Sequence, residues 1–332
     1  MTTISAEVSV IGSGSWATGI VKLLAENCNN IAWYIREPEI IEHLREHHHN
    51  PKFLSSVDFE IEKLILTDDI NEAVTLSDTI IFVVPSAFLK STLKGMEADI
   101  SEKTVCSAIK GIVPENNTIV GEFLHNQYNV PYENLVILSG PTHAEEIAME
   151  KLSYLTVASL KQEKAKNVAA LLSGFYLRTV ISNDIFGTEY AAVLKNIYAI
   201  AIGVSHGLGY GDNFQAVLLS NSAREMKKFI AKVNKNKRNI TASAYLGDLL
   251  VTAYSQFSRN RMLGNMLGKG SSVKYALLNM YMIAEGYYAS ECIYLINQKI
   301  GAKIPIADAV YNILYREMRP ADAIKSLTKL LK

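Results

Sequence analysis

Glu7-Val8-Ser9-Val10-Ile11-Gly12-Ser13-Gly14-Ser15-Trp16-Ala17-Thr18-Gly19-Ile20-Val21-Lys22-Leu23-Leu24-Ala25-Glu26 is the stretch on which the reading of this chain turns. Its first five residues form a short β-branched run, which predicts a strand. From Thr18 onward the apolar residues recur at helical spacing. Between the two lies a turn that fits G-x-G-x-x-G/A, with Ala17 in the third position. A second apolar run, Ile31-Ala32-Trp33-Tyr34-Ile35, follows an Asn-rich turn, so the order is strand, glycine turn, helix, strand.

That geometry carries a chemistry. Gly12 permits the tight bend, Gly14 lets the backbone approach a pyrophosphate with no side chain in the way, and Ala17 is small enough for the helix to pack on the strand. The helix N-terminus adds backbone N–H groups and a partial positive charge. The turn therefore reads as a dinucleotide site. The tail of the second strand, Arg36-Glu37-Pro38-Glu39, bears on which dinucleotide. A carboxylate there suits the ribose of NAD and an Arg suits the 2′-phosphate of NADP, so both NADH and NADPH stay open. Arg36 can also be read as a solvated loop residue, and Trp16 either as packing or as an indole beside the cofactor.

The alternation continues with Ile65-Leu66-Thr67 before an acid-capped helix start at Asp68-Asp69. Apolar runs at 79–84, 104–109 and 135–138 predict buried strands that end at Pro85-Ser86, Lys110-Gly111 and Ser139-Gly140-Pro141-Thr142. Such strands, separated by helices, imply a parallel sheet covered on both faces. Ligands sit beyond the carboxyl ends of strands in such sheets, where Lys110, Gly140 and Thr142 fall.

Near Asn183 the strand pattern stops, giving a division into 1–182, a dinucleotide-binding Rossmann-like domain, and 183–332, an all-helical domain for substrate and catalysis. Residues 189–204 are apolar almost all round, the mark of a buried helix, yet Lys195 lies among them. A lysine in that setting must reach a cleft, a carboxylate or a ligand. A Gly-rich turn at 207–213 follows, then Gly247-Asp248-Leu249, Ser258-Arg259-Asn260-Arg261 and Glu285-Gly286.

Composition closes off other classes. Of 332 residues 49% are apolar, and 33 Lys plus Arg balance 33 Asp plus Glu. A zero net charge argues against a nucleic-acid or anionic-membrane coat. The basic run from Lys227 to Arg238 reads as a solvated helix face and loop. The three cysteines, Cys28, Cys106 and Cys292, are scattered and unpaired in spacing, which suits buried thiols in a reducing compartment. With neither an apolar leader nor a 20-residue apolar span, a cytoplasmic protein without a membrane span is expected. His43 with His47-His48-His49 invites a metal reading, but no partner spacing completes a site, so an exposed loop and no metal are expected.

Taken together, the motifs resemble bacterial-type NAD(P)H-dependent glycerol-3-phosphate dehydrogenases. The resemblance rests on Gly12-Ser13-Gly14-Ser15-Trp16, Lys110-Gly111, Ser139-Gly140-Pro141-Thr142, Leu194-Lys195-Asn196, residues 207–213, Gly247-Asp248-Leu249, Ser258-Arg259-Asn260-Arg261 and Glu285-Gly286, in order along nearly the whole chain. It implies a Rossmann domain followed by a helical one, and the interconversion of dihydroxyacetone phosphate and sn-glycerol 3-phosphate for phospholipid synthesis. It implies Lys195 as catalytic lysine. Lys110, Gly140, Thr142, Lys195, Asp248, Ser258, Arg259 and Asn260 fall at substrate positions. Gly12, Gly14, Ser15, Trp16, Arg36, Lys110, Ala144, Arg259, Ile283 and Glu285 fall at positions for NADPH or NADH. The implied partner is a small phosphorylated substrate, with no nucleic acid, and a homodimer is among the assemblies allowed.

The chain departs from the resemblance at Ala242-Ser243-Ala244-Tyr245-Leu246, where a Gly-rich approach is usual, at His143 and at Ala17; no chemical group is lost. Rival readings are a two-domain hydroxyacid or sugar-acid dehydrogenase and a non-catalytic nucleotide sensor. Ser258-Arg259-Asn260 with Lys110-Gly111 argues against the first. The second has little use for Lys195 and Asp248.

Overall fold

The computed structural model describes residues 5–332. Its ten strands are β1 (Val8–Ile11), β2 (Ile31–Tyr34), β3 (Leu64–Thr67), β4 (Thr79–Phe82), β5 (Thr104–Ser107), β6 (Ile112–Val113), β7 (Thr118–Ile119), β8 (Leu135–Ser139), β9 (Ser153–Ala158) and β10 (Leu177–Ser182). The first two helices are α1 (Ser15–Ala25) and α2 (Pro38–His47). The described chain falls into two units. One runs to Ile109 and resumes over Val120–Ile185; the other takes Lys110–Ile119 and Phe186–Lys332.

The first unit is an eight-stranded sheet in the order β10-β9-β8-β5-β4-β1-β2-β3. Its central strands are buried end to end, which is why β1 and β2 read as continuous apolar runs rather than alternating ones. From β1 the order runs outward through β2 and β3 on one side and through β4 and β5 on the other, which puts the topological switch between β1 and β4. The sheet departs from the expected parallel one at a single seam, because β8 and β9 pair antiparallel and β10 then follows β9 in parallel. The connection from β8 to β9 explains this. Its only helix, Ala144–Ala148, has five residues and rises about 7.5 Å, too little to return along a strand for a parallel crossover.

The second unit is built around a long buried helix, Ile185–Gly207, and a second long helix, Asp212–Val233. It is helical with one addition that the sequence pattern did not show. Strands β6 and β7 form a small antiparallel hairpin, and the fully buried Ile112 and Ile119 place that hairpin in the helical core. The boundary expected at 182/183 thus falls at 185/186, and residues 110–119 belong with the helices.

Within this unit the long helix and helix Arg259–Gly268 meet backbone to backbone. A Cβ added at Gly203 would stand 2.2 Å from the Arg261 carbonyl oxygen, and one at Gly264 would stand 2.1 Å from that of Ile200. Only glycine permits this approach, and it fixes the start of the second helix against the helix that bears Lys195. Glu225, 4% exposed, fastens another helix by accepting the backbone N–H groups of Ile306 at 2.9 Å and Ala307 at 3.0 Å. Burial nevertheless pushes its carboxyl up to about 8.

The histidine run is not a loop throughout. His43 and His47 lie on α2, and His48 ends the helix in the left-handed region at φ 64°. All three cysteines are buried thiols. Among the described residues no helix is long and apolar enough to cross a membrane.

Candidate active site

The glycine turn sits at the switch point of the sheet. Gly12 has φ +134°, and a Cβ there would lie 2.4 Å from the Val83 carbonyl oxygen just past β4, so no other residue fits. At Gly14, by contrast, an added Cβ meets nothing within 4 Å. This is an open cradle in front of the N-terminus of α1, which no side chain caps. A pyrophosphate fits such a place: small, anionic and met by backbone N–H groups.

Residues distant in sequence hold the cradle. The indole of fully buried Trp33 donates to the Gly12 carbonyl at 2.7 Å. The amide of Asn50, also fully buried, donates to the Ser13 carbonyl and to Thr18 Oγ1, both at 3.0 Å. Ser13 Oγ donates to Glu37 at 2.9 Å, and Glu37 also pairs with Arg36 at 2.9 Å. Ser15 is buried at the start of α1, and Trp16 Cε3 lies 3.4 Å from the place of a Cβ on Gly19, one turn further along the helix.

Beyond β8, Gly140 takes φ +127°, and its Cβ would press on the Tyr154 carbonyl at 2.9 Å. Thr142 is 6% exposed and turns its backbone N–H onto the Gly140 carbonyl at 2.9 Å. Ala144 opens the short helix that follows. These three and the Gly12–Trp16 group all lie at carboxyl ends of strands in the first unit.

The second unit gathers a different set. Lys195 is 5% exposed on the long helix, and its Nζ donates to Asp248 Oδ1 at 2.5 Å. Asp248 is 1% exposed, and its Oδ2 is buried with no hydrogen-bond partner among the described residues. The neighbouring Asn196 donates to the Lys110 carbonyl at 2.7 Å, which ties the hairpin segment to the helix. Burial, and then the Lys195 charge, lower the Lys110 ammonium to about 7 against the opposing pull of Asp248. Asp248 opens helix Asp248–Tyr254 directly after a π-helical turn at Ser243–Gly247, so the departure from a Gly-rich approach has become a local irregularity in front of a buried acid.

Ser258 caps helix Arg259–Gly268, its Oγ accepting the Arg261 N–H at 3.3 Å. Arg259 is the first residue of that helix, and Asn260 Oδ1 accepts the Gly286 N–H at 2.9 Å. That bond joins the start of this helix to the start of helix Glu285–Ile300, whose first residue is Glu285, with Ile283 just ahead of it. Among the described residues no group of three or more His, Cys, Asp or Glu is arranged to hold a metal ion.

The sequence-predicted residues thus divide between the units, each half brought together within its own. Sequence reasoning missed Asn50 and Trp33 as holders of the glycine turn, and no local signal marks them, since Asn50 lies 37 residues from Ser13. It named Asn196 only as part of a motif, without its tie to Lys110.

Enzymes that move hydride with a nicotinamide dinucleotide divide the work this way, a nucleotide-binding sheet on one unit and ionisable groups on another, and the chain falls in that class. The model for the N-terminus of NAD-dependent glycerol-3-phosphate dehydrogenase matches residues 7–165, and that for its C-terminus matches residues 184–325. The chain belongs to the NAD-dependent glycerol-3-phosphate dehydrogenase family. The glycerol-3-phosphate dehydrogenase (NAD(P)+) of Exiguobacterium sp. is 34% identical over 326 residues, covering 98% of this chain and 95% of its own. That of Oceanobacillus iheyensis is 33% identical, covering 97% of this chain and 93% of its own. The crystal structure of glycerol-3-phosphate dehydrogenase from Coxiella burnetii superposes with a TM-score of 0.89 at 26% identity, over 98% of this chain and 99% of that one.

Proposed function

We propose that the chain interconverts dihydroxyacetone phosphate and sn-glycerol 3-phosphate with NADH or NADPH, and that Lys195 is the proton donor. The observation that carries this is the Lys195–Asp248 pair, 2.5 Å apart and almost wholly buried in an apolar helical setting. Buried ion pairs are weak contributors to stability, and replacing one with apolar residues is often neutral or stabilising. Such a pair is better explained by chemistry than by folding.

When bound, the reduced nicotinamide supplies hydride to the ketone carbon. The Lys195 ammonium holds three protons, of which Asp248 engages one, so another can meet the growing negative charge on the ketone oxygen and transfer to it. In the oxidative direction neutral Lys195 takes the alcohol proton back. Asp248 holds the amine in place, and Thr252 Oγ1, donating to the Asp248 backbone carbonyl at 2.6 Å, braces the turn that carries it. Lys110, Ser258, Arg259 and Asn260 are proposed to receive the substrate phosphate, with Gly140 and Thr142 completing the substrate set. Gly12, Gly14, Ser15, Trp16, Arg36, Lys110, Ala144, Arg259, Ile283 and Glu285 are proposed for the cofactor. A cytoplasmic location, a role in phospholipid synthesis and a homodimeric assembly complete the reading.

A substrate panel tests it. Unphosphorylated dihydroxyacetone would leave phosphate-binding donors unpaired, at about 1–3 kcal/mol per group, so kcat/KM should fall on the order of 10³-fold relative to the phosphate. Arg259→Ala should lower activity on the phosphate and narrow that gap. A small keto acid outperforming dihydroxyacetone phosphate would replace this reading with the hydroxyacid one.

A further inference from the structure

The histidine run has no place in the dehydrogenase reading, and the fold arranges it in a way that its spacing does not show. Helix α2 ends at His48, whose left-handed φ of 64° turns the chain, and His49 comes back against His43 on the helix. The turn is fixed from both sides. His48 donates its N–H to the Leu44 carbonyl at 2.9 Å and accepts the Phe59 N–H at 2.8 Å. Asn50, directly after His49, is fully buried and donates to the Ser13 carbonyl at 3.0 Å. His49 therefore sits between two anchored residues.

The outcome is a pair of imidazoles with Nε2 facing Nε2 at 3.2 Å and ring planes 79° apart. Two imidazole nitrogens bound to one zinc ion at about 2.0–2.1 Å stand about 2.9 Å apart at a right angle and about 3.3 Å apart at the tetrahedral angle. The two rings already keep that spacing. Their protons suit it as well. His49 Nδ1 lies 2.8 Å from the His47 carbonyl oxygen, which only a protonated nitrogen can meet as a partner, so the lone pair of that ring is on Nε2. A ligating histidine almost always has its other ring nitrogen donating in this way. In the ion-free pair His43 Nε2–H donates to His49 Nε2, and an ion takes the place of that proton once His43 carries it on Nδ1 instead. Both rings are half-buried, whereas His47 and His48 are exposed.

We propose that His43 and His49 form a two-point clip for a divalent transition-metal ion that favours imidazole, such as zinc, copper, nickel or cobalt, with water in its remaining positions. Among the described residues no third His, Cys, Asp or Glu closes the site, so the ion is held reversibly. Magnesium and calcium, which take oxygen ligands, do not suit it.

Calorimetric titration of the full chain, stripped by a chelator, with zinc, nickel and magnesium salts tests the clip. Zinc and nickel should bind and magnesium should not. His43→Ala and His49→Ala should each weaken zinc at least about tenfold. His48→Asn, which keeps a residue tolerant of the left-handed turn, should leave zinc affinity unchanged. Thermal unfolding of each variant without metal checks that the fold is kept. A run of histidines also binds metal in the unfolded chain, so the wild-type Tm is the second readout, and an ion held by the folded clip raises it. Zinc binding that leaves Tm unmoved is chelation by the run alone and overturns the proposal. Loss of binding in His47→Ala with His49→Ala unaffected also overturns it, by placing the ion on the helical pair His43 and His47. Absence of zinc binding, or binding that survives His43→Ala undiminished, does the same.

Discussion

The glycine turn and the lysine–carboxylate pair, the two regions proposed for function, are built on opposite principles. The turn is nearly all backbone: a bend at Gly12, an open space at Gly14 and the N-terminus of α1, all within consecutive residues. The pair is all side chain, joining Lys195 to a carboxylate 53 residues away, with Lys110 lowered beside them. A backbone site costs little to keep, because its dipoles are part of the helix. A buried charged site must be held against desolvation by rigid neighbours, and the glycine contact between the long helix and helix Arg259–Gly268 supplies that rigidity in the second unit. The two regions should therefore fail separately and in different ways.

The largest effect expected is on the pair. Lys195→Ala should cut kcat by roughly 10²–10⁴-fold, the usual contribution of a positioned acid–base group, while dinucleotide affinity stays within about twofold of wild type. Single-turnover kinetics together with direct nucleotide binding measure both. Near-normal turnover in a folded variant would end the catalytic assignment, and a matching loss of nucleotide affinity would end the separation of the two regions.

The same contrast decides what is legible in the amino-acid order. Consecutive residues with a strict spacing mark the strand, turn and helix of the first region by themselves. Lys195 stands out because a charge inside an apolar helix violates the pattern around it. Its partner Asp248 is reached only through the family resemblance, since pairing across 53 residues is a fact of helix packing that no local pattern marks. The antiparallel seam between β8 and β9 is hidden for a related reason: strand direction depends on the length of a connecting helix, and apolar runs carry no direction. The allocation of residues 110–119 to the helical unit turns on where Ile112 and Ile119 are buried, which hydrophobicity alone does not assign.

A smaller effect concerns pH. Lys110 has its ammonium lowered to about 7, so it is cationic below that pH and neutral above it. If its charge helps to receive a phosphate, kcat/KM should decline on the alkaline side with a break near 7, because that parameter reports the free enzyme. Lys110→Arg keeps the charge at all accessible pH values and should remove the break. Lys110→Met should flatten the profile at a level about tenfold lower. A break that persists unchanged in both variants would move the titration to another group. Dinucleotide affinity measured over the same range tests whether the glycine turn, which has no ionisable group among Gly12, Ser13 and Gly14, is indifferent to it.

The smallest effect expected falls on the backbone region, and it tests how local that region is. Asn50 donates from one amide to the Ser13 carbonyl and the Thr18 hydroxyl, and its Oδ1 accepts the N–H groups of Lys52 at 3.0 Å and Phe53 at 3.2 Å. It thus fastens the glycine turn to the loop after α2. Asn50→Ala leaves the Ser13 carbonyl without that donor, at a cost of about 1–3 kcal/mol in stability if the group stays buried. Gly12, wedged against the Val83 carbonyl, and Trp33, bonded to the Gly12 carbonyl, still hold the bend. The cradle should therefore loosen rather than collapse. Dinucleotide affinity should weaken roughly three- to tenfold, with kcat at saturating nucleotide unchanged, since Lys195 and Asp248 are untouched. Thermal unfolding and nucleotide titration of the variant separate the two costs. A loss of kcat at saturation would show that the turn and the pair are coupled. An unchanged affinity would show that the consecutive residues of the turn shape the cradle without help from the rest of the chain.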